Sequence, residues 1–228
     1  MTAKTMSELQ QRDVEVRAGR NTLRGILGLP ADPQAAVVFA HGSGSGRLSP
    51  RNQYVARALN QAGLATLLID LLEEHEADDR RKVFDVGLLA ERLSCAADWL
   101  KQQPEMRALR LGYFGASTGA AAALVAAARD AAEVSAVVSR GGRPDLALDF
   151  LPAVQAPTQL IVGGADDVVL ELNKRAIAAL HCRKELIVVP GATHLFPEPG
   201  ALEQVAEHAA RWFQRYLAPA ALAPRKPK

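Results

Sequence analysis

Leu109-Arg-Leu-Gly-Tyr-Phe-Gly115-Ala-Ser117-Thr-Gly119 decides how this chain is read, because an apolar run of strand character leads straight into G-x-S-x-G. A serine on a tight strand-to-helix turn carries its hydroxyl above the edge of a sheet. The strain of such a nucleophile elbow leaves no room for side chains two positions to either side. Gly115 and Gly119 occupy those two positions. Ala120, Ala121, Ala122 and Ala123 follow, a run of high helix propensity whose small side chains let the helix pack close to the strand it leaves. Strand, sharp turn and helix together form the setting in which this motif presents a nucleophile; a chance match in a Gly/Ala-rich chain is the competing reading.

Toward the N-terminus, residues 83–103 carry Val86, Leu89, Leu93, Ala96, Trp99 and Leu100 at helical intervals with Pro104 just beyond, which predicts a long helix feeding the elbow strand. Residues 71–82, Leu-Leu-Glu-Glu-His-Glu-Ala-Asp-Asp-Arg-Arg-Lys, are the one strongly charged stretch. Their charges argue against any core position and predict an exposed loop. Glu73, Glu74, His75, Glu76, Asp78 and Asp79 are read there as solvated side chains rather than as ligands of a divalent cation, so no metal is assigned. Residues 35–40 and 64–69 are continuous apolar runs, as strands buried on both faces of a parallel sheet require. A helix over 51–61, stopped by Gly63, joins them. Residues 13–19 and 22–29 alternate as an antiparallel hairpin about Gly19-Arg20-Asn21.

Toward the C-terminus, residues 134–138, 158–162 and 185–189 read as strands, and 168–180 and 201–217 as helices, the last turning Val205, Trp212, Phe213 and Tyr216 toward the core. Residues 139–157 leave space for a short helix over 145–151 but not for a large lid, so a site nearby is expected to open to solvent. The alternation predicts an α/β fold, a mostly parallel eight-stranded sheet with helices on both faces and no large cap domain. The domain is expected over 13–217, between an N-terminal extension, 1–12, and a Pro-, Ala- and Lys-rich C-terminal tail, 218–228.

Composition excludes several classes of function. With 27 basic and 25 acidic residues and only 5% aromatics, the chain has neither the charge nor the stacking surface for a nucleic-acid partner. The first residues lack the apolar core of a signal peptide, and no run approaches the ~18 apolar residues of a membrane helix. The expectation is a cytoplasmic protein without a membrane partner, a monomer or homodimer. Cys95 and Cys182 show neither CxxC nor metal spacing and are read as reduced, structural residues.

In a parallel sheet covered on both faces, chemistry collects at the carboxyl ends of the strands. After residue 162 comes Gly163-Gly164-Ala165-Asp166-Asp167, and after residue 189 comes Pro190-Gly191-Ala192-Thr193-His194. A serine hydroxyl is a poor nucleophile until an imidazole takes its proton, and a carboxylate on the other ring nitrogen fixes the tautomer. Ser117, Asp166 and His194 supply these parts in the chain order of an α/β-hydrolase. Asp166 follows the Gly163-Gly164 turn directly and is favoured as the acid; Asp167 is the alternative.

His41 opens a glycine-rich loop after the strand at 35–40 and is read as shaping that loop, with a tentative place in substrate binding. The backbone N–H groups of Ser43 and Thr118 are the candidate oxyanion-hole donors. A dinucleotide loop is the competing reading of Gly42-Ser-Gly44-Ser-Gly46-Arg47, but its third glycine comes one residue too early for G-x-G-x-x-G. Arg140 and Arg143, at another strand end, are candidates for binding an anionic group of the substrate, with pairing to Asp145 or Asp149 as the alternative.

His41-Gly-Ser-Gly-Ser-Gly-Arg-Leu-Ser-Pro-Arg-Asn52, Gly115-Ala-Ser-Thr-Gly119, Gly163-Gly-Ala-Asp-Asp167 and Gly191-Ala-Thr-His-Leu-Phe196 together resemble the dienelactone-hydrolase-like group of the α/β-hydrolase superfamily, a likeness that spans most of the chain. The resemblance implies a cap-less hydrolase of esters or lactones with Ser117, Asp166 and His194 as its triad. Dienelactone hydrolases proper use a cysteine at the elbow, and Ser117 in its place points to a carboxylesterase acting through an acyl-enzyme. That chemistry needs a small ester and water and no cofactor. A thioesterase or acyltransferase of the same fold, or a non-catalytic binding protein, is the alternative.

Overall fold

The apolar runs assemble into one eight-stranded sheet in the computed structural model, which describes residues 9–217. β1 (Gln10–Ala18) and β2 (Asn21–Leu29) form the antiparallel hairpin. Ala18 faces Asn21 across a two-residue turn in which Gly19 takes φ +61°, a conformation glycine adopts without a steric cost. β3 (Ala35–Ala40), β4 (Leu64–Ile69), β5 (Leu111–Ala116), β6 (Val134–Arg140), β7 (Thr158–Gly163) and β8 (Lys184–Val189) follow. Their order across the sheet is β1-β2-β4-β3-β5-β6-β7-β8. β2 runs antiparallel to β1 and β4, and every pair from β4 to β8 is parallel.

Every residue of β3, β4, β5 and β7 is buried, because helices cover both faces of the sheet. α1 (Pro50–Gln61) and α6 (Ala201–Leu217) cover one face, where Val55, Leu59, Val205 and Phe213 share a core with Phe39, Phe114 and Val138. A single turn, α2 (Arg80–Val83), precedes α3 (Val86–Gln102). With α4 (Thr118–Arg129) and α5 (Asp167–Ala179), α3 covers the other face, placing Leu93, Leu124 and Ala176 in one core with Val38, Leu67 and Tyr113. Residues 144–153 form a 3₁₀ segment lying on α4 and α5, not a lid.

The connection from β3 leads to β4 on one side, and the next returns to β5 on the other, so neighbouring strands β3 and β5 send their loops apart. A crevice opens at such a switch point, at the strand carboxyl ends. The His41 loop and the elbow flank it.

Three expectations are corrected. The hairpin begins at Gln10, inside the stretch read as an N-terminal extension; residues 1–8 and the tail at 218–228 lie outside the described residues. The helix expected over 83–103 is interrupted after Val83. Asp79 caps α2 at the Arg81 N–H, and Asp85 caps α3 at the Leu88 N–H, so each side chain starts its own helix. The charged stretch is largely exposed, as expected, but it is not free of core positions. Residues 74–76 form a 3₁₀ turn, Leu71 is fully buried, and Glu76 is only 3% exposed. Arg92 of α3 grips both Glu76 oxygens at 2.5 and 2.9 Å, and Lys82 adds a third bond at 2.7 Å. These bonds, those to Arg92 first, hold the Glu76 carboxyl well below the usual carboxylate range. Charge bars a residue from the core only while it lacks partners.

Candidate active site

Ser117 sits at φ +51° and ψ −120°, left-handed backbone that L-residues rarely adopt and that marks stored strain. Its N–H donates to the Arg140 carbonyl at 3.2 Å, and its carbonyl accepts from the N–H groups of Ala120 and Arg143, each at 3.1 Å. The elbow is thus tied to the end of β6 on both sides. A Cβ on Gly115 would lie 2.4 Å from Ala120 Cα, and one on Gly119 2.3 Å from the Ala40 carbonyl oxygen. Both flanking positions admit only glycine.

His194, in the loop after β8, places Nδ1 2.7 Å from Asp166 Oδ2. The two residues belong to loops that hold each other: Gly164 N–H donates to Val189 O at 2.8 Å and Ala165 N–H to Ala192 O at 2.9 Å. Gly163 permits this approach, since a Cβ there would fall 2.3 Å from the Ala192 carbonyl oxygen. Asp166 therefore meets the histidine, while Asp167 begins α5 and is exposed. The end of β6 also supports the histidine, for a Cβ on Gly141 would lie 3.1 Å from His194 O and 3.5 Å from its Nδ1. Ser117 and His194 thus lean on consecutive residues, Arg140 and Gly141. Among the described residues no hydrogen bond joins Ser117 Oγ to His194, a looseness common before substrate binds.

The loop after β3 lies directly on the elbow: a Cβ on Gly42 would be 3.0 Å from Ser117 Cβ. One expected oxyanion donor, the Ser43 N–H, is engaged here by Thr118 Oγ1 at 3.0 Å. The other, the Thr118 N–H, is in the first turn of α4, where no intrahelical acceptor exists. His41 is buried, donates from Nδ1 to the Gly42 carbonyl at 2.9 Å and accepts the Leu71 N–H on Nε2 at 2.9 Å. Burial lowers its pKa and keeps it neutral. With both ring nitrogens engaged, His41 ties the loop to the chain beyond β4, and it lines the neighbouring cleft without a ring nitrogen left over for a substrate hydrogen bond. Arg47 pairs with Asp70 and anchors the same loop from its other end.

A cleft of about 820 Å³ opens beside this loop, lined by Arg24, Ser43, Asp70, Glu73, His75 and Thr118 among others. It reaches Ser43 and Thr118, the expected oxyanion donors, from the hairpin side of the crevice. Arg143 is locked in a two-pronged pair with Asp145, Nε to Oδ1 at 2.8 Å and Nη2 to Oδ2 at 2.7 Å, the structural alternative foreseen for it. Among the described residues Arg140 has no such pair. Glu73, His75 and Glu76 bring ligand atoms within 4.8 Å of one another. Glu76 is already held by Arg92 and Lys82, and Glu73 by Asn21 and the Thr22 N–H, so two of the three are engaged in folding contacts, while His75 is exposed. Cys95 and Cys182 are free thiols whose pKa values burial raises, which suits inert rather than reactive cysteines.

Comparison with known proteins places this geometry in context. Residues 23–218 match the model of the dienelactone hydrolase family. A dienelactone hydrolase from Anabaena variabilis superposes with a TM-score of 0.89 at 55% identity, covering 92% of this chain and 99% of that one. Est1E from Butyrivibrio proteoclasticus, at 16% identity, a TM-score of 0.77 and coverage of 89% and 98%, shares the fold. A Mycobacterium tuberculosis protein named "Putative phosphoribosyl transferase" is 58% identical over 209 residues, which make up 92% of this chain and 47% of that protein. The chain spans about half the length of that relative. No helix among the described residues is long and apolar enough to cross a membrane.

Proposed function

The chain belongs to the dienelactone hydrolase family, and from that membership together with the site we propose that it hydrolyses carboxylic esters or lactones through a covalent acyl-enzyme on Ser117. The observation that carries this reading is the strained serine at φ +51° on the same strand-end platform as the 2.7 Å Asp166–His194 pair. Asp166 accepts a hydrogen bond from the Nδ1–H and so leaves the lone pair on Nε2. His194 Nε2 takes the Ser117 hydroxyl proton as Oγ attacks the carbonyl carbon, and the Thr118 and Ser43 N–H groups receive the oxyanion. Ser43 reaches it by exchanging the Thr118 hydroxyl for the substrate oxygen. The tetrahedral adduct collapses as His194 hands its proton to the departing alkoxide. A water then gives a proton to His194 and attacks the acyl group, and the acid leaves as Ser117 recovers its proton.

We do not carry over the transferase name of the mycobacterial relative, because more than half of that protein lies outside the match. Labelling by a fluorophosphonate probe, run with 4-nitrophenyl acetate turnover, tests the reading. Ser117→Ala should abolish labelling and lower kcat by on the order of 10⁴-fold or more. A wild-type protein that neither labels nor turns over would refute it.

A further inference from the structure

Thr118 opens α4 directly after the nucleophile, and its side chain turns to the loop after β3, where Oγ1 accepts the Ser43 N–H at 3.0 Å. A threonine hydroxyl accepts through its lone pairs and still has one O–H to donate. Among the described residues that proton has no acceptor, since the bond from Ser43 is the one side-chain hydrogen bond Thr118 makes. Thr118 is nonetheless 3% exposed, and it lines the cleft together with Ser43. A buried donor left without an acceptor costs stability, so an unused one at the mouth of a site asks what completes it.

The hydroxyl is held in place from behind. Gly119 presses on the end of β3, where a Cβ would lie 2.3 and 2.4 Å from the Ala40 and His41 carbonyl oxygens, and a Cβ on Gly42 would lie 3.0 Å from Ser117 Cβ. His41 and Arg47 anchor the loop at its two ends, whereas its middle, Ser43 and Gly44, is exposed. An exposed N–H is satisfied by water without help from the protein. The Ser43 N–H is held instead by a buried side chain of another element. Thr118 therefore sets the direction of one expected oxyanion donor. Its Oγ1 also stands beside the other, because only Cα and Cβ separate that oxygen from the Thr118 nitrogen.

We propose that the Thr118 hydroxyl is a third donor of the oxyanion hole, an inference that rests on the acyl-enzyme reading of Ser117. In the resting protein its oxygen keeps the Ser43 N–H directed at the site. As the substrate carbonyl becomes an oxyanion, the Ser43 N–H passes to the new charge and the Thr118 O–H turns to it as well. An alkoxide oxygen has one lone pair more than a carbonyl oxygen, so this further bond is made in the transition state and not in the ground state.

Thr118→Val removes the hydroxyl and keeps the branched shape. Its kcat for 4-nitrophenyl acetate should fall ~10- to 10²-fold with KM within ~3-fold of the wild type, and Thr118→Ser, which restores the hydroxyl, should return kcat to within ~5-fold. A trifluoromethyl ketone reads the oxyanion directly: Ser117 Oγ bonds to the carbonyl carbon, the π pair moves to oxygen, His194 takes the serine proton, and nothing leaves. Thr118→Val should weaken this inhibitor by about the factor it takes from kcat/KM. In a Ser43→Pro background, which lacks the loop N–H, Thr118→Val should still cost ~10-fold. No further loss there would mean that the hydroxyl acts through Ser43 alone and would overturn the third donor. A kcat at or above the wild type, or a loss that serine does not restore, overturns it too. Thermal midpoints report folding, and Thr118→Ala, which suits a helix, must show the same loss as Thr118→Val. A wild type that neither turns over nor binds the ketone would bring down the esterase reading and this inference together, whereas an active wild type matched by Thr118→Val would bring down the inference alone.

Discussion

Replacing Asp166 by asparagine removes one charge at the contact on which the proposed mechanism turns and leaves the backbone of the Gly163–Asp166 turn in place. When His194 holds the serine proton it is an imidazolium with Nδ1 2.7 Å from Asp166 Oδ2. Two unit charges at that distance attract by about 6 kcal/mol at an effective dielectric constant of ~20. The His194 side chain is 38% exposed and that of Asp166 15%, so solvent screening reduces the figure. Halving it leaves about 3 kcal/mol, or ~10²-fold in kcat. Asparagine can also present its N–H to Nδ1, which moves the imidazole proton to Nε2, where it blocks acceptance of the serine proton; the combined loss should reach ~10²- to 10⁴-fold. Steady-state turnover of 4-nitrophenyl acetate and the rate of fluorophosphonate labelling should both fall, with the thermal midpoint as the control for folding. Asp167→Asn, on the exposed first residue of α5, should stay within ~3-fold of the wild type. An Asp166→Asn enzyme within ~5-fold of the wild type, or an Asp167→Asn enzyme as impaired as Asp166→Asn, would refute the assignment.

Glu76→Gln should cost about 3 to 5 kcal/mol, because it strands Arg92 as a buried cation. In a chain of this length that is a fall of roughly 6 to 20 °C in midpoint. Because the folded Glu76 pKa is depressed, its contribution is present above the unfolded carboxylate pKa of about 4.3 and is lost as pH falls through the range below it. Urea midpoints of wild type and variant should therefore differ at pH 7 and converge below about pH 4; a gap independent of pH would contradict this. Gly119→Ala should not yield a folded enzyme, since the new Cβ would meet the Ala40 and His41 carbonyl oxygens at 2.3 and 2.4 Å with backbone on both sides. Recovery of soluble, active Gly119→Ala would show that the elbow can shift where the structure leaves it no space.

Much of this architecture was legible because its signals are local. Continuous six-residue apolar runs at 35–40 and 64–69, too short for helices and bounded by turn residues, read as strands covered on both faces, and glycine at 115 and 119 announces a backbone approach that no side chain survives. The spacing of Ser117, Asp166 and His194 along alternating strands and helices puts all three at strand carboxyl ends, on one edge of the sheet. Local signals failed where partners are distant in the chain. The stretch 71–82 looks solvated until Arg92, sixteen residues beyond Glu76, is seen to reach back and bury it.

The sequence by itself determined the order of strands and helices, the elbow, and which residue types could carry the chemistry, because these follow from periodicity, steric exclusion at glycine and chain order. Only the tertiary structure chose Asp166 over its neighbour, since that choice depends on how the Gly163 and Ala192 loops pack across 28 residues of intervening chain. It alone separated Arg143, closed onto Asp145, from Arg140, whose buried charge meets no acid among the described residues. It also showed that the Ser43 N–H, free in any reading of the loop, is held by the Thr118 hydroxyl seventy-five residues away. A hydrogen bond or an ion pair is decided by distances of a few ångströms between residues far apart in the chain, and only folding sets those distances.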